Sequence, residues 1–202
     1  MNKIIDLRTD TVTQPTPAML AAMQTATQGD DSRDSDPTVM KLEALAATLT
    51  GKDAGLYMPS GTMTNLVALL ERGAHMLNTE LGGLAAVAGV FYKAILGTRG
   101  AMNETALREA VRPMTRNNFG TALICMETTH NGAGGAVLPL AHMRMVHGLA
   151  QEHGIPVHTD GARLFNAAIA LGVPASTVAR HTDSVCFCVS KGLSAPVGSV
   201  LC

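Results

Sequence analysis

Tryptophan is absent from this 202-residue chain, and two tyrosines and four phenylalanines bring the aromatic fraction to only 3%. That leaves little from which to build base-stacking platforms. Charge is scarce as well. Charged side chains make up 15% of the chain and the net charge is −1. This excludes both the composition of a disordered polyampholyte and the basic footprint of a nucleic-acid binder. The four cysteines (Cys125, Cys186, Cys188 and Cys202) form no CxxC pair, and three lie inside apolar runs. They read as small core residues in a reducing compartment rather than as disulfides or metal ligands. No apolar leader follows Met1, and the most apolar stretch, residues 81–92, is rich in Gly and Ala and stops at Lys93. A membrane span needs roughly 20 apolar residues. The expectation is a soluble, cytoplasmic protein with neither a nucleic-acid nor a membrane partner.

What the chain does have is core material, with a hydrophobic fraction of 47%. Its length fits one domain, or one large domain with a fragment of another. Helical spacing of apolar and small residues runs over 17–27 and 37–49, each with Pro in the first turn and with Gly29 or Gly51 beyond the last. Short apolar runs at 54–58, 121–126, 155–159, 184–189 and 197–201 predict strands. Residues 62–70, 104–111, 140–153 and 164–171 predict helices. Several of the strands are apolar throughout, as they are when helices cover both faces of a sheet. The strand–helix rhythm predicts a doubly wound α/β fold. Residues 1–28 read as an N-terminal segment and 29–202 as one large domain. Its last apolar strand, 197–201, has no polar tail, which predicts a sheet interrupted at an open edge.

Three strand ends carry groups with chemistry. An apolar strand from Ser184 runs into Ser190-Lys191-Gly192. A lysine in such a setting loses charge easily and becomes a nucleophilic amine, although taken alone a strand-end lysine is more often a surface residue. His158-Thr159-Asp160-Gly161-Ala162-Arg163 ends a second strand before a helix, where ligands of α/β sheets gather. Asp160 there is either a partner for a pyridinium nitrogen or a helix cap. Pro59-Ser60-Gly61-Thr62 follows a third strand and opens a helix, which suits a phosphate and equally suits a turn. Neither this segment nor Gly132-Ala133-Gly134-Gly135 has the spacing of a dinucleotide fingerprint. Phosphate cup, pyridinium partner and amine occur in the order of a pyridoxal-phosphate domain.

Seven segments together resemble the low-specificity L-threonine aldolases. They are residues 5–13, Gly29-Asp30-Asp31, Asp36-Pro37-Thr38, Pro59-Ser60-Gly61-Thr62, Glu127-Thr128-Thr129-His130-Asn131, residues 160–167 and Ser190-Lys191-Gly192-Leu193. The resemblance runs nearly end to end. It implies the large domain of a fold-type I pyridoxal-phosphate enzyme, a mostly parallel sheet flanked by helices, without the C-terminal small domain. It further implies pyridoxal 5'-phosphate bound to Lys191 as a Schiff base, with Asp160 on the pyridine nitrogen, Ser60, Gly61 and Thr62 on the phosphate, and His75 stacked on the ring. Arg163 would contact the cofactor's phenolate side or the substrate carboxylate, Thr9 would lie near that carboxylate, and His130 near the substrate hydroxyl. No metal is implied. The implied reaction cleaves L-threonine, L-allo-threonine and related β-hydroxy-α-amino acids to glycine and an aldehyde, in a homodimer or homotetramer. A related β-eliminating lyase, or a cofactor-binding homologue of weak activity, remains an alternative.

The chain departs from the family pattern in three places besides the missing domain. Helix 62–70 is expected to run into Glu71–His75 without room for the family's strand there. Ser32-Arg33-Asp34-Ser35 replaces an aromatic-glycine loop, and Thr128 stands where the family has Asn. These departures predict cofactor binding that survives better than turnover.

Overall fold

The computed structural model describes residues 8–30, 36–58, 60, 69–80, 91–113 and 120–202. Its first helices form where sequence punctuation places them. Helix α1 (Pro17–Thr25) starts with Thr16 accepting the amide of Met19, and α2 (Pro37–Thr50) with Asp36 accepting those of Thr38 and Val39. Helix α2 ends on Gly51 at φ 69°, the left-handed conformation that favours glycine.

Nine strands follow among the described residues: β1 (Leu56–Met58), β2 (Leu69–Glu71), β3 (Lys93–Ile95), β4 (Gly97–Thr98), β5 (Ala101–Met102), β6 (Ile124–Glu127), β7 (Val157–Asp160), β8 (Ser184–Cys188) and β9 (Ser199–Leu201). Seven of them make one sheet in the order β1-β9-β8-β7-β6-β2-β3, and β4 and β5 pair separately. From β8 through β3 every pairing is parallel, and only β9 runs against its neighbours. The expected α/β class and mostly parallel sheet are therefore observed. All four residues of β6 and of β7 are buried, the polar ones included, as in strands with both faces of the sheet covered.

The helices between the strands supply the packing. They are α3 (His75–Asn78), α4 (Glu104–Ala110), α5 (Leu140–Glu152), α6 (Leu164–Leu171) and α7 (Ala175–Ala179). Helix α5 buries Met143, Val146, Leu149 and Ala150, one face at helical spacing. These side chains join Ile124, Val157, Val185 and Phe187 of the sheet and Leu164 and Val178 of α6 and α7 in a single core. Two of the few aromatics meet there, with Phe165 and Phe187 edge to face at 5.1 Å between centroids. No helix among the described residues is long and apolar enough to cross a membrane.

Two expectations are corrected. Residues 69–71 are strand β2, hydrogen-bonded to both β3 and β6, so the helix read over 62–70 does not reach Leu70 and the strand before His75 is present. Residues 61–68 lie outside the described set. The last strand is not an open edge either. β9 lies between β8 and β1, paired on both sides, and the sheet edges are β1 and β3. An apolar strand in the interior of a sheet needs no polar tail.

Strand β7 also buries a histidine with consequences for stability. His158 is 5% exposed, and its Nδ1 lies 2.8 Å from Ser184 Oγ on β8. Burial pushes its pKa down from 6.5 to about 4, and the charge of Asp160 only partly opposes this. Between those values the unfolded chain binds a proton that the folded chain does not, so stability is full above pH 6.5 and falls as the pH drops towards 4. At 1.36 kcal/mol per unit the loss is about 3 kcal/mol. Urea unfolding at pH 7.5 and 4.5 should reveal it. In His158→Gln the fall over this interval should be much shallower; an unchanged profile would contradict the assignment.

Candidate active site

The parallel strands β2, β6 and β7 each end on an acid: Glu71, Glu127 and Asp160. Glu127 and Asp160 face each other in register across the pairing of β6 with β7. Exposures are 8% for Glu71, 4% for Glu127 and 2% for Asp160. Three buried carboxylates at the carboxyl ends of neighbouring parallel strands mark the crevice where α/β sheets place ligands. They also make it a place that favours a protonated or cationic group. A cavity of about 260 Å³ opens there.

Five of the residues singled out from sequence share its wall: Thr9, His75, Asp160, Arg163 and Lys191. Asp160 accepts the amide of Ala162 at 3.0 Å, which fixes its carboxylate at the start of the loop to α6. Lys191 sits three residues past β8, and its carbonyl accepts the Thr13 hydroxyl at 3.0 Å and the Ser194 amide at 2.9 Å. Gly192 beside it packs against the Asn166 amide, since a Cβ there would lie 2.7 Å from Oδ1 and would push that side chain aside. His75 begins α3, and its buried Nδ1 finds no hydrogen-bond partner among the described residues. Ser60 is exposed and is not on this wall. Gly61 and Thr62 lie outside the described residues.

Arg163 is held from behind. Its Nε and Nη2 donate to the two oxygens of Asp10, each at 2.7 Å, in a fork-to-fork pair. That hydrogen bond is the main reason the Asp10 carboxyl lies below the usual carboxylate range and the guanidinium above its own. Nη1 is left without a share in this pair. Asp10 belongs to a short turn of 3-10 helix, Asp10–Val12, flanked by Thr9 and Thr13, so the N-terminal segment ties the β7–α6 loop to the lysine turn.

The structure does not bring His130 to the cavity. It is 1% exposed and absent from the wall. Its Nδ1 accepts the amide of Ala133 at 3.1 Å, so Nε2 carries the proton and points at Glu71 Oε2, 3.0 Å away. Glycines make the room for it. Gly100, at φ 84°, could carry no Cβ, which would fall 2.6 Å from the imidazole. The residues of the same motif that do face the cavity are Glu127, Thr129 and Asn131. In the sequence the segment draws notice for its histidine, a residue that titrates near neutral pH, and its glutamate is not singled out there. Asp10 and Thr11 lie in the segment 5–13 that the resemblance marks, but only Thr9 is singled out there.

The fold is shared with known proteins. The solved structure of Leishmania major threonine aldolase superposes with a TM-score of 0.81 at 18% identity, over 96% of this chain and 60% of that one. By sequence, the low-specificity L-threonine aldolase 1 of Arabidopsis thaliana is 43% identical and the low specificity L-threonine aldolase of Escherichia coli 40% identical, each over 98% of this chain. The chain spans 59% and 62% of their lengths. The family model described as Beta-eliminating lyase matches residues 6–202, and the chain belongs to that family.

Proposed function

We propose that this chain forms the pyridoxal-phosphate site of a lyase that cleaves L-threonine and related β-hydroxy-α-amino acids to glycine and an aldehyde. One observation carries the reading: Asp160 and Lys191, from the adjacent parallel strands β7 and β8, share the wall of one cavity at the strands' carboxyl ends. The residues fit the cofactor in two respects. The buried acids suit a cationic ring, and the His75 Nδ1, without a hydrogen-bond partner among the described residues, suits a ligand that fills the crevice. When bound, pyridoxal phosphate supplies an electron sink for the pair released as the Cα–Cβ bond breaks. Lys191 would be the amine that holds it covalently. Asp160 would hold the proton of its ring nitrogen, and the phosphate role that the family resemblance gives Ser60, Gly61 and Thr62 is proposed from sequence, since Ser60 is not on this wall.

Arg163 orients the substrate. With one edge fixed by Asp10, it offers Nη1 to a carboxylate, and Thr9 stands nearby on the same wall. Orientation is what sets the scissile bond for cleavage. His75 is the imidazole on the wall that can take the proton of the substrate hydroxyl. His130, walled off, supports Glu71 and Glu127 from behind.

The family's printed description favours a second reading, β-elimination. Products separate the two. Incubated with pyridoxal phosphate and L-threonine, the chain is expected to release glycine and acetaldehyde. Ammonia and a keto acid without glycine would establish elimination instead.

A further inference from the structure

We propose that Glu127 is a positioning residue that holds His75 and Asn131 on the cavity wall as a two-armed clamp. One carboxylate oxygen, Oε2, accepts the backbone amide of His75 at 2.7 Å, and the other, Oε1, accepts that of Asn131 at 2.6 Å. The two loops come from different places, one following β2 and the other following β6. The Glu127 side chain joins them at the end of a fully buried strand. The two amides belong to segments 56 residues apart, and the two oxygens of one carboxylate let a single side chain hold both.

The surroundings keep the clamp in place. His130 Nε2 lies 3.8 Å from Oε2 on its way to Glu71, so imidazole and second acid buttress the arm that holds His75. Asp160 faces Glu127 from β7, while His75, Arg163 and Lys191 line the same cavity. Burial pushes the Glu127 carboxyl above the usual range, the two amides pull it back, and Asp160 adds to the rise. Protonation would weaken the bonds to both amides at once, since an ionised acceptor is what makes them strong.

The inference rests on the cofactor reading of the cavity, and its test is arranged to fail separately. In the wild-type chain without cofactor, amide-detected NMR should find the His75 and Asn131 protons far downfield and moving with one shared pH midpoint. Both should shift upfield in Glu127→Gln, whose amide can accept from one partner only. Pyridoxal-phosphate titration followed by absorbance should then show binding weakened about tenfold, the scale of one lost charge-assisted hydrogen bond. In the His75→Ala background Glu127→Gln should cost far less, because the carboxylate acts through His75. Amides that titrate independently, or additive losses in this cycle, would overturn the clamp. A wild-type chain that takes up no pyridoxal phosphate would overturn the cofactor reading instead.

Discussion

Replacing Lys191 with alanine is expected to abolish covalent attachment of pyridoxal phosphate and to lower turnover by on the order of 10³-fold or more, the scale lost with a covalent catalytic group. Two lysines compete with it on general grounds. Lys52 has its pKa lowered by burial, which on chemistry alone would make it the better nucleophile. Its ammonium instead donates to the carbonyl of Thr182, and it is absent from the cavity wall. Lys93 opens β3 with an exposed side chain. Lys191 alone of the three combines the wall with a turn fixed by Thr13 and Ser194, so its amine is presented at a set place. Borohydride reduction followed by peptide mapping should place the pyridoxyl group on Lys191 in the wild type and nowhere in Lys191→Ala. Lys191→Arg should also lose the adduct while keeping the charge, which separates the amine's chemistry from its electrostatics. An adduct on Lys52 or Lys93 would sink the assignment.

Much of this arrangement was legible before any coordinates, for a physical reason. Buried parallel strands are short runs that lead into polar loops, so the apolar approach to Lys191 is visible locally, as is Asp160 where the segment from Ile155 meets Gly161. Helix α6 was read with its observed limits because Gly172 stops it in the left-handed conformation. Strand β2 was not readable. Three residues cannot show a period, and pairing with β3 and β6 decided their state over the helical pattern before them. The same holds at the site. Arg163 stood out, but its partner Asp10 lies 153 residues away. The burial of His130 depends on Gly73, Gly100 and Gly132, from three separate segments. The sequence carries those glycines without saying what they make room for.

Asp160→Asn should leave pyridoxal phosphate bound and slow cleavage by about 10²-fold. The substitution preserves shape, and an amide oxygen can still accept the Ala162 amide that Oδ1 accepts now at 3.0 Å, so the loop to Arg163 stays in place. What it removes is a buried negative charge. If that charge keeps the ring nitrogen protonated, its loss weakens the electron sink in the bond-breaking step and acts on kcat more than on KM. The fold should not suffer with the function. Glu127 lies in register on the next strand, and the charge of Asp160 contributes to raising its carboxyl. Neutralising Asp160 relieves that repulsion, so the cofactor-free variant should unfold no earlier than the wild type and the shared midpoint of the His75 and Asn131 amides should move down. Lower activity with equal or greater stability is the signature of a residue kept for chemistry. The measurements are glycine release from L-threonine, cofactor titration, and urea unfolding of the cofactor-free chain. Near-normal glycine release by Asp160→Asn would contradict the role, and a loss of stability matching the loss of activity would make Asp160 a structural cap for the loop to α6.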